Sequence, residues 1–180
     1  MPEATDVIRR EHATIRIIIR ILDELLARHK AGEAPSIADI PQMVTFFIRF
    51  GDGLHHAKEE QVLFPAILRH DQNSITLLDR LLTDHQQDHL ILSTLEHALS
   101  RGDHAAVWAT MWSYVTLMAA HVELEDNLLL PTADTYFTEE EQAELAGLLA
   151  TVERERMPEL ERKSWAVRCD ELIARYLPGQ

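Results

Sequence analysis

Cysteine is almost absent from this chain: among 180 residues there is only Cys169. A disulfide framework is therefore excluded, and so is any zinc or iron–sulfur site built from several thiolates. A lone thiol of this kind is read as packed and inert. Basic residues are also few. Seventeen Lys and Arg face thirty Asp and Glu, for a formal net charge of −13, which argues against nucleic acid and anionic membrane as partners. Long apolar runs are missing, so no segment reaches membrane-spanning length. The opening Met1-Pro2-Glu3-Ala4-Thr5-Asp6 is not a signal peptide, and the expected location is the cytoplasm. No stretch shows the alternation of β-branched residues that marks a strand.

What the chain does have is helical periodicity and ten histidines. At this length one domain is expected, able to bury roughly 70% of its unfolded surface. Apolar residues at Ile8, Ile15, Ile19, Leu22 and Leu26 predict a helix from about Thr5 to Ala31, closed by Gly32 and Pro35. A second helix starts near Ser36 to Pro41 and runs through Phe46, Phe47 and Phe50 to His55 and Glu59. Gly51 and Gly53 weaken it, and Pro65 is expected to kink or end it. A third, after Asn73-Ser74, carries Leu78, Leu81, Leu82, His85, His89, Leu92, Leu95 and Leu99 up to Gly102. A fourth follows Asp103 through Trp108, Met111, Tyr114 and Met118 to His121 and Glu125, with Pro131 near its end. Thr138-Glu139-Glu140-Glu141 reads as a capped start with acids at the positive helix end. That helix runs to about Met157, and Pro158 opens a last one bearing Trp165, Cys169, Leu172 and Tyr176. The expected fold is all-α: an antiparallel four-helix bundle over residues 1–135, with a helical extension over 136–180 packed on it.

One stretch occurs twice. His55-His56-Ala57-Lys58-Glu59-Glu60-Gln61-Val62-Leu63-Phe64-Pro65 aligns with His121-Val122-Glu123-Leu124-Glu125-Asp126-Asn127-Leu128-Leu129-Leu130-Pro131. Internal similarity of this kind marks a duplicated unit. Each copy keeps a His and a Glu four residues apart, which places both on one helical face. Each of the four bundle helices also carries His in its inward stripe: His12, His55, the pair His85 and His89, and His121. Singly, each is best read as a satisfied core histidine. Together, five imidazoles and two carboxylates are too costly to bury without a shared partner, and a metal that takes their lone pairs resolves the cost. The candidate ligands are His12, His55, Glu59, His85, His89, His121 and Glu125.

Several pairs compete with this set. His29 and Glu33 share the spacing but flank Gly32, where the helix ends. His56 and Glu60 share it one residue out of register, but position 56 matches Val122 in the repeat, which favours His55 and Glu59. His70, His97 and His104 fall at helix ends or off the stripe. Asp126, five residues after His121, rivals Glu125. Imidazole with carboxylate suits iron, and also manganese or zinc. Seven ligands exceed the needs of one ion and suit two ions bridged by carboxylates. The Glu-x-x-His pattern of ferritin-like di-iron bundles does not occur in the sequence.

Between about Thr5 and Pro131 the chain resembles the hemerythrin-like, or HHE cation-binding, domain. Glu11-His12, His55-x-x-x-Glu59-Glu60-x-x-Leu63-Phe64-Pro65, Asp84-His85 and His121-x-x-x-Glu125-x-x-x-Leu129-x-Pro131 carry the resemblance. It implies a non-haem di-iron centre inside the bundle, with Glu59 and Glu125 as bridges. His12 and His55 would serve one iron, and His85, His89 and His121 the other. Oxygen-carrying members place Asp five residues after the last His, whereas Glu125 with Leu129 and Pro131 looks more like the bacterial members. Three roles are compatible. The first is binding or turning over O2, hydrogen peroxide or nitric oxide, including catalase-like activity, with the enzymatic step left open. The second is iron buffering, donation or repair of iron centres. The third is a metal-stabilised interaction module without chemistry. The expected assembly is a monomer or weak homodimer.

Overall fold

The computed structural model describes residues 3–178, which are mostly helical and joined by short turns, with no strand among them. Helix α1 spans Ala4–Lys30. Helix α2 begins as Ile40–Phe46, widens into π-helix over Phe47–His56 and again over Glu59–Leu63, and ends as Phe64–His70. A single 3-10 turn, Gln72–Ser74, leads into α3, Ile75–Ser100. Helix α4 runs as His104–Leu124, π-helical Glu125–Leu129 and Leu130–Tyr136. Helices α5, Glu139–Arg156, and α6, Glu159–Tyr176, complete the chain. The short connections between the first four make sequential neighbours antiparallel.

The stops and starts have local causes. Gly32 and Gly102 take φ of 84° and 65°, the left-handed region that glycine adopts cheaply at a helix end. Asp103 caps α4 by accepting from the Ala106 N–H at 3.0 Å. Thr138 and Glu141 form a reciprocal capping box on α5. Of the two outcomes expected at Pro65, a kink or an end, the helix does not end there but runs on to His70. Just before each repeat proline the ladder has already shifted: Phe64 donates to the Glu59 carbonyl, and Leu130 to that of Glu125. Those i→i+5 bonds loosen the turn at the place where proline would otherwise clash. A Cβ at Gly53 would stand 3.0 Å from the Ile48 carbonyl, so a side chain there would crowd the wide turn.

Two apolar layers hold the bundle. One contains Ile15, Leu22, Phe46, Phe47, Leu54, Leu92, Met111 and Met118. The other contains Ile8, Leu63, Ile67, Leu81, Leu129 and Ala133. The extension contributes to both: Trp165, Cys169 and Leu172 join the first, and Leu145, Leu149 and Val152 the second. Each such side chain is worth about 1.5–3 kcal/mol of burial, so α5 and α6 are firmly docked. Between the layers lies a polar stratum. His12 falls between Ile8 and Ile15, His85 between Leu81 and Leu92, and Glu59 between Leu54 and Leu63. No described helix is long and apolar enough to cross a membrane.

Candidate metal centre

The polar stratum gathers six of the seven sequence candidates. His12, His55, Glu59 and Glu125 form one group of converging donor atoms; His56, Glu59, His85 and His121 form a second. All of them are buried. Glu59 belongs to both groups. Its Oε1 lies 3.4 Å from His55 Nε2 and 3.9 Å from His12 Nε2, and its Oε2 lies 3.4 Å from His85 Nε2. Glu125 Oε2 stands 3.2 Å from His12 Nε2 and 3.3 Å from His121 Nε2, so it too spans the groups. Both carboxylates, His85 Nε2 and both nitrogens of His121 have no hydrogen-bond partner. Orphaned buried acceptors are costly. Donors sharing an ion at about 2.0–2.2 Å each stand at most about 4 Å apart, which fits these separations.

The outward nitrogens carry a second pattern. His55 Nδ1 meets Glu11 at 3.0 Å, His85 Nδ1 meets Glu60 at 2.7 Å and His12 Nδ1 meets Asp126 at 2.7 Å. His121 Nδ1 faces Asp84 at 3.6 Å. Carboxylates on the far nitrogen fix the tautomer and aim the other nitrogen inward. The pairing crosses between helices. Glu11, next to His12, serves His55, while Asp84, next to His85, serves His121. Glu60, next to Glu59, serves His85, and Asp126, next to Glu125, serves His12. The two halves of the bundle thus use equivalent residues for equivalent tasks. Asp126 orients a histidine, whereas Glu125 faces the cluster.

Charge in this cavity is divided unevenly. Burial and the neighbouring Glu125 push the Glu59 carboxyl up to about 8. Burial would also raise Glu125, but His121 and His12 outweigh it and bring it to about 2. Burial works against protonating His12, yet its hydrogen bond to Asp126 and the nearby Glu125 and Glu59 carboxylates prevail and raise it to about 10. Likewise Glu59 and Glu60 overcome burial at His85 and raise it to about 10. Burial leaves His55 and His56 well below the ordinary imidazole value, and lowers His121 as well. Without an ion, protons do the work of holding these carboxylates together.

His89 is not among the converging residues. Its side chain is 71% exposed and its Nδ1 contacts Asp52 at 3.2 Å. A spacing of four from His85 permits an inward position but does not compel one. The buried stripe of α3 is Leu78, Leu81, His85, Asp88, Leu92 and Leu95, alternating steps of three and four as packed helices do. His56 is found where His89 was expected to contribute. Its ring stacks on His85 with centroids 3.8 Å apart and meets His121 edge-on at 5.7 Å. The π-helical turn explains how adjacent His55 and His56 both face inward: a wider turn separates neighbours by a smaller angle. The signal available in sequence was the matched partner Val122, which is itself buried. His29, His70, His97 and His104 are exposed.

Among known families, the model of the hemerythrin HHE cation binding domain matches residues 3–133. No curated protein and no solved structure gives a match.

Proposed function

The chain belongs to the hemerythrin HHE cation-binding domain family, and from that premise we propose that it is a non-haem di-iron protein that binds or reacts with O2, hydrogen peroxide or nitric oxide. The observation that carries this reading is the sharing of Glu59 between two buried donor groups in which the Glu59 and Glu125 oxygens, His85 Nε2 and the His56 and His121 nitrogens lack hydrogen-bond partners. A single ion would leave one group unsatisfied. Ferrous ions held by His12, His55, Glu59, Glu125, His56, His85 and His121 would supply one electron each to a small oxidant. The protein's part is to exclude bulk water, orient the imidazoles through their Nδ1 carboxylates and divide five imidazoles three and two. The group with two, His12 and His55, keeps more room for an exogenous ligand. Iron suits mixed imidazole and carboxylate donors, as do manganese and zinc.

The test is anaerobic reconstitution with Fe2+, followed by optical spectra on adding O2, peroxide or nitric oxide. The expected result is two irons per chain and a new absorption band with at least one of the three. Saturation at one iron per chain, or a spectrum indifferent to all three, would overturn the reading. Iron buffering is the second reading, favoured by the cleft that opens beside His85, lined by Asp52, Glu60, Gln86 and His89. Rapid loss of iron to a weak chelator, with no spectral response, would select it.

A further inference from the structure

Beside the two groups lies a third set of converging donors: Asp52, His56 and Asp88. His56 Nδ1 stands 3.8 Å from Asp52 Oδ1 and 3.8 Å from Asp88 Oδ2. Those distances are too long for hydrogen bonds but within the span of donors that share one ion. Asp88 and His56 are 1% and 2% exposed. Neither Asp88 oxygen and neither His56 nitrogen has a partner within hydrogen-bond geometry, and the buried Tyr114 hydroxyl faces Asp88. A fold needing only packing would not place such groups here.

The internal repeat supplies the control. Aligning the halves in sequence, His55 with His121 and His85 with His12, puts Asp52 on Met118, His56 on Val122 and Asp88 on Ile15. All three counterparts are buried and apolar. The same fold therefore closes this position with hydrocarbon in one half and opens it to two carboxylates and an imidazole in the other. The polar side also borders solvent. Asp52, Glu60, His85 and His89 line a cleft of about 390 Å³, and Asp52 reaches both His89 at its mouth and His56 within.

We propose that Asp52, His56 and Asp88 form an accessory divalent-cation site on the solvent side of the main cluster, where an arriving ion is held before His56 and His85 pass it inward. Two carboxylates balance the charge of one divalent ion, and the mixed oxygen and nitrogen donors select Fe2+, Mn2+, Co2+ or Zn2+ over Ca2+. The site goes beyond the di-iron reading and needs no redox chemistry. Its ion is weaker bound than those of the main cluster, because one donor is shared and Asp52 remains open to water.

Anaerobic equilibrium dialysis of the full-length chain against Co2+ tests this, with bound metal counted per chain and cobalt absorption followed during loading. The wild type is expected to take one weaker equivalent beyond the tightly bound ions. Asp88→Asn and Asp52→Asn each lose that equivalent, keep the tight ions and load them at least tenfold more slowly. Glu125→Ala loses tight metal but retains the weaker equivalent, which separates a failure of the main cluster from a failure of this site. Should Asp88→Asn not fold, Asp52→Asn at the cleft carries the same comparison. Saturation of the wild type with no weaker equivalent, or its persistence in the asparagine variants at an unchanged loading rate, overturns the proposal.

Discussion

Glu59 and Glu60 are neighbours with different environments, and their substitution separates two tasks. Glu59 is fully buried and faces both donor groups. Glu60 has a 44% exposed side chain and touches only the outer nitrogen of His85. Glu59→Ala is expected to abolish stable binding of at least one ion. Glu60→Ala should weaken affinity by about 10–100-fold, the usual cost of an orienting partner, rather than leave it untouched as the register of the repeat alone suggests. Competition against a chelator of known affinity measures both, and equal losses would mean the roles are not divided this way. His56 and His89 form a similar contrast. His56→Leu should change the spectrum of the metal-loaded protein, whereas His89→Leu should leave spectrum and stoichiometry as they are. A spectral change confined to His89→Leu would return that residue to the cluster.

At the scale of helices, the question is what α5 and α6 do for a centre to which they give no ligand. Of the polar contacts that α5 and α6 make with the bundle, those through Lys58 lead toward the centre. Lys58 is fully buried in α2, ion-paired with Glu11, and reaches Glu153 of α5 at 2.7 Å. Glu153 in turn pairs with Arg162 at the start of α6. Since Glu11 holds His55, the extension is linked to a candidate ligand through two charged contacts. The repeat counterpart of Lys58 is Leu124, so the bundle does not itself require a cation at this place. Removing one partner of a fully buried pair costs about 3–5 kcal/mol, and the partial exposure of Glu153 reduces this. Glu153→Ala is expected to destabilise the protein by about 2 kcal/mol in urea unfolding. In a Lys58→Met background the same change should cost under about 0.5 kcal/mol. Equal costs in the two backgrounds would show that Glu153 acts elsewhere.

For the whole molecule, the uneven charges of the cluster predict how stability without metal varies with pH. His12 and His85, raised from 6.5 to about 10, contribute stability that is complete below 6.5 and is lost as pH rises toward 10. Glu59, raised from 4.5 to about 8, loses its contribution between those values. His55, His56 and His121, lowered by burial, contribute stability above the ordinary imidazole value that is lost as pH falls through it. Glu125, brought down to about 2, adds a loss below 4.5. The metal-free chain should therefore be most stable near pH 6.5, with its melting temperature falling on both sides. Bound metal replaces the protons, so loading should raise the melting temperature and remove the alkaline decline up to about pH 9. Thermal melts with and without chelator at pH 5, 6.5 and 8.5 decide the matter. A flat metal-free profile, or no shift on chelation, would count against a metal-dependent core.

The sequence by itself determined the helices, their caps and the duplication, because periodicity, Gly32 and Gly102, Asp103 and Thr138 act within a few residues of themselves. It also determined that imidazole and carboxylate would share one core, since His12, His55, Glu59, His85, His121 and Glu125 each sit in an apolar stripe. Tertiary structure decided what spacing leaves open. On α3, positions 88 and 89 are both compatible with an inward stripe, and only packing against the neighbouring helices turned Asp88 in and His89 out. On α2, a π-helical turn with no simple sequence signature brought His56 beside His55. The crossed assignment of Glu11 to His55 and Asp84 to His121 links residues far apart in the chain. Which carboxylate steadies which imidazole is a property of how helices lie against each other, and no local pattern encodes it.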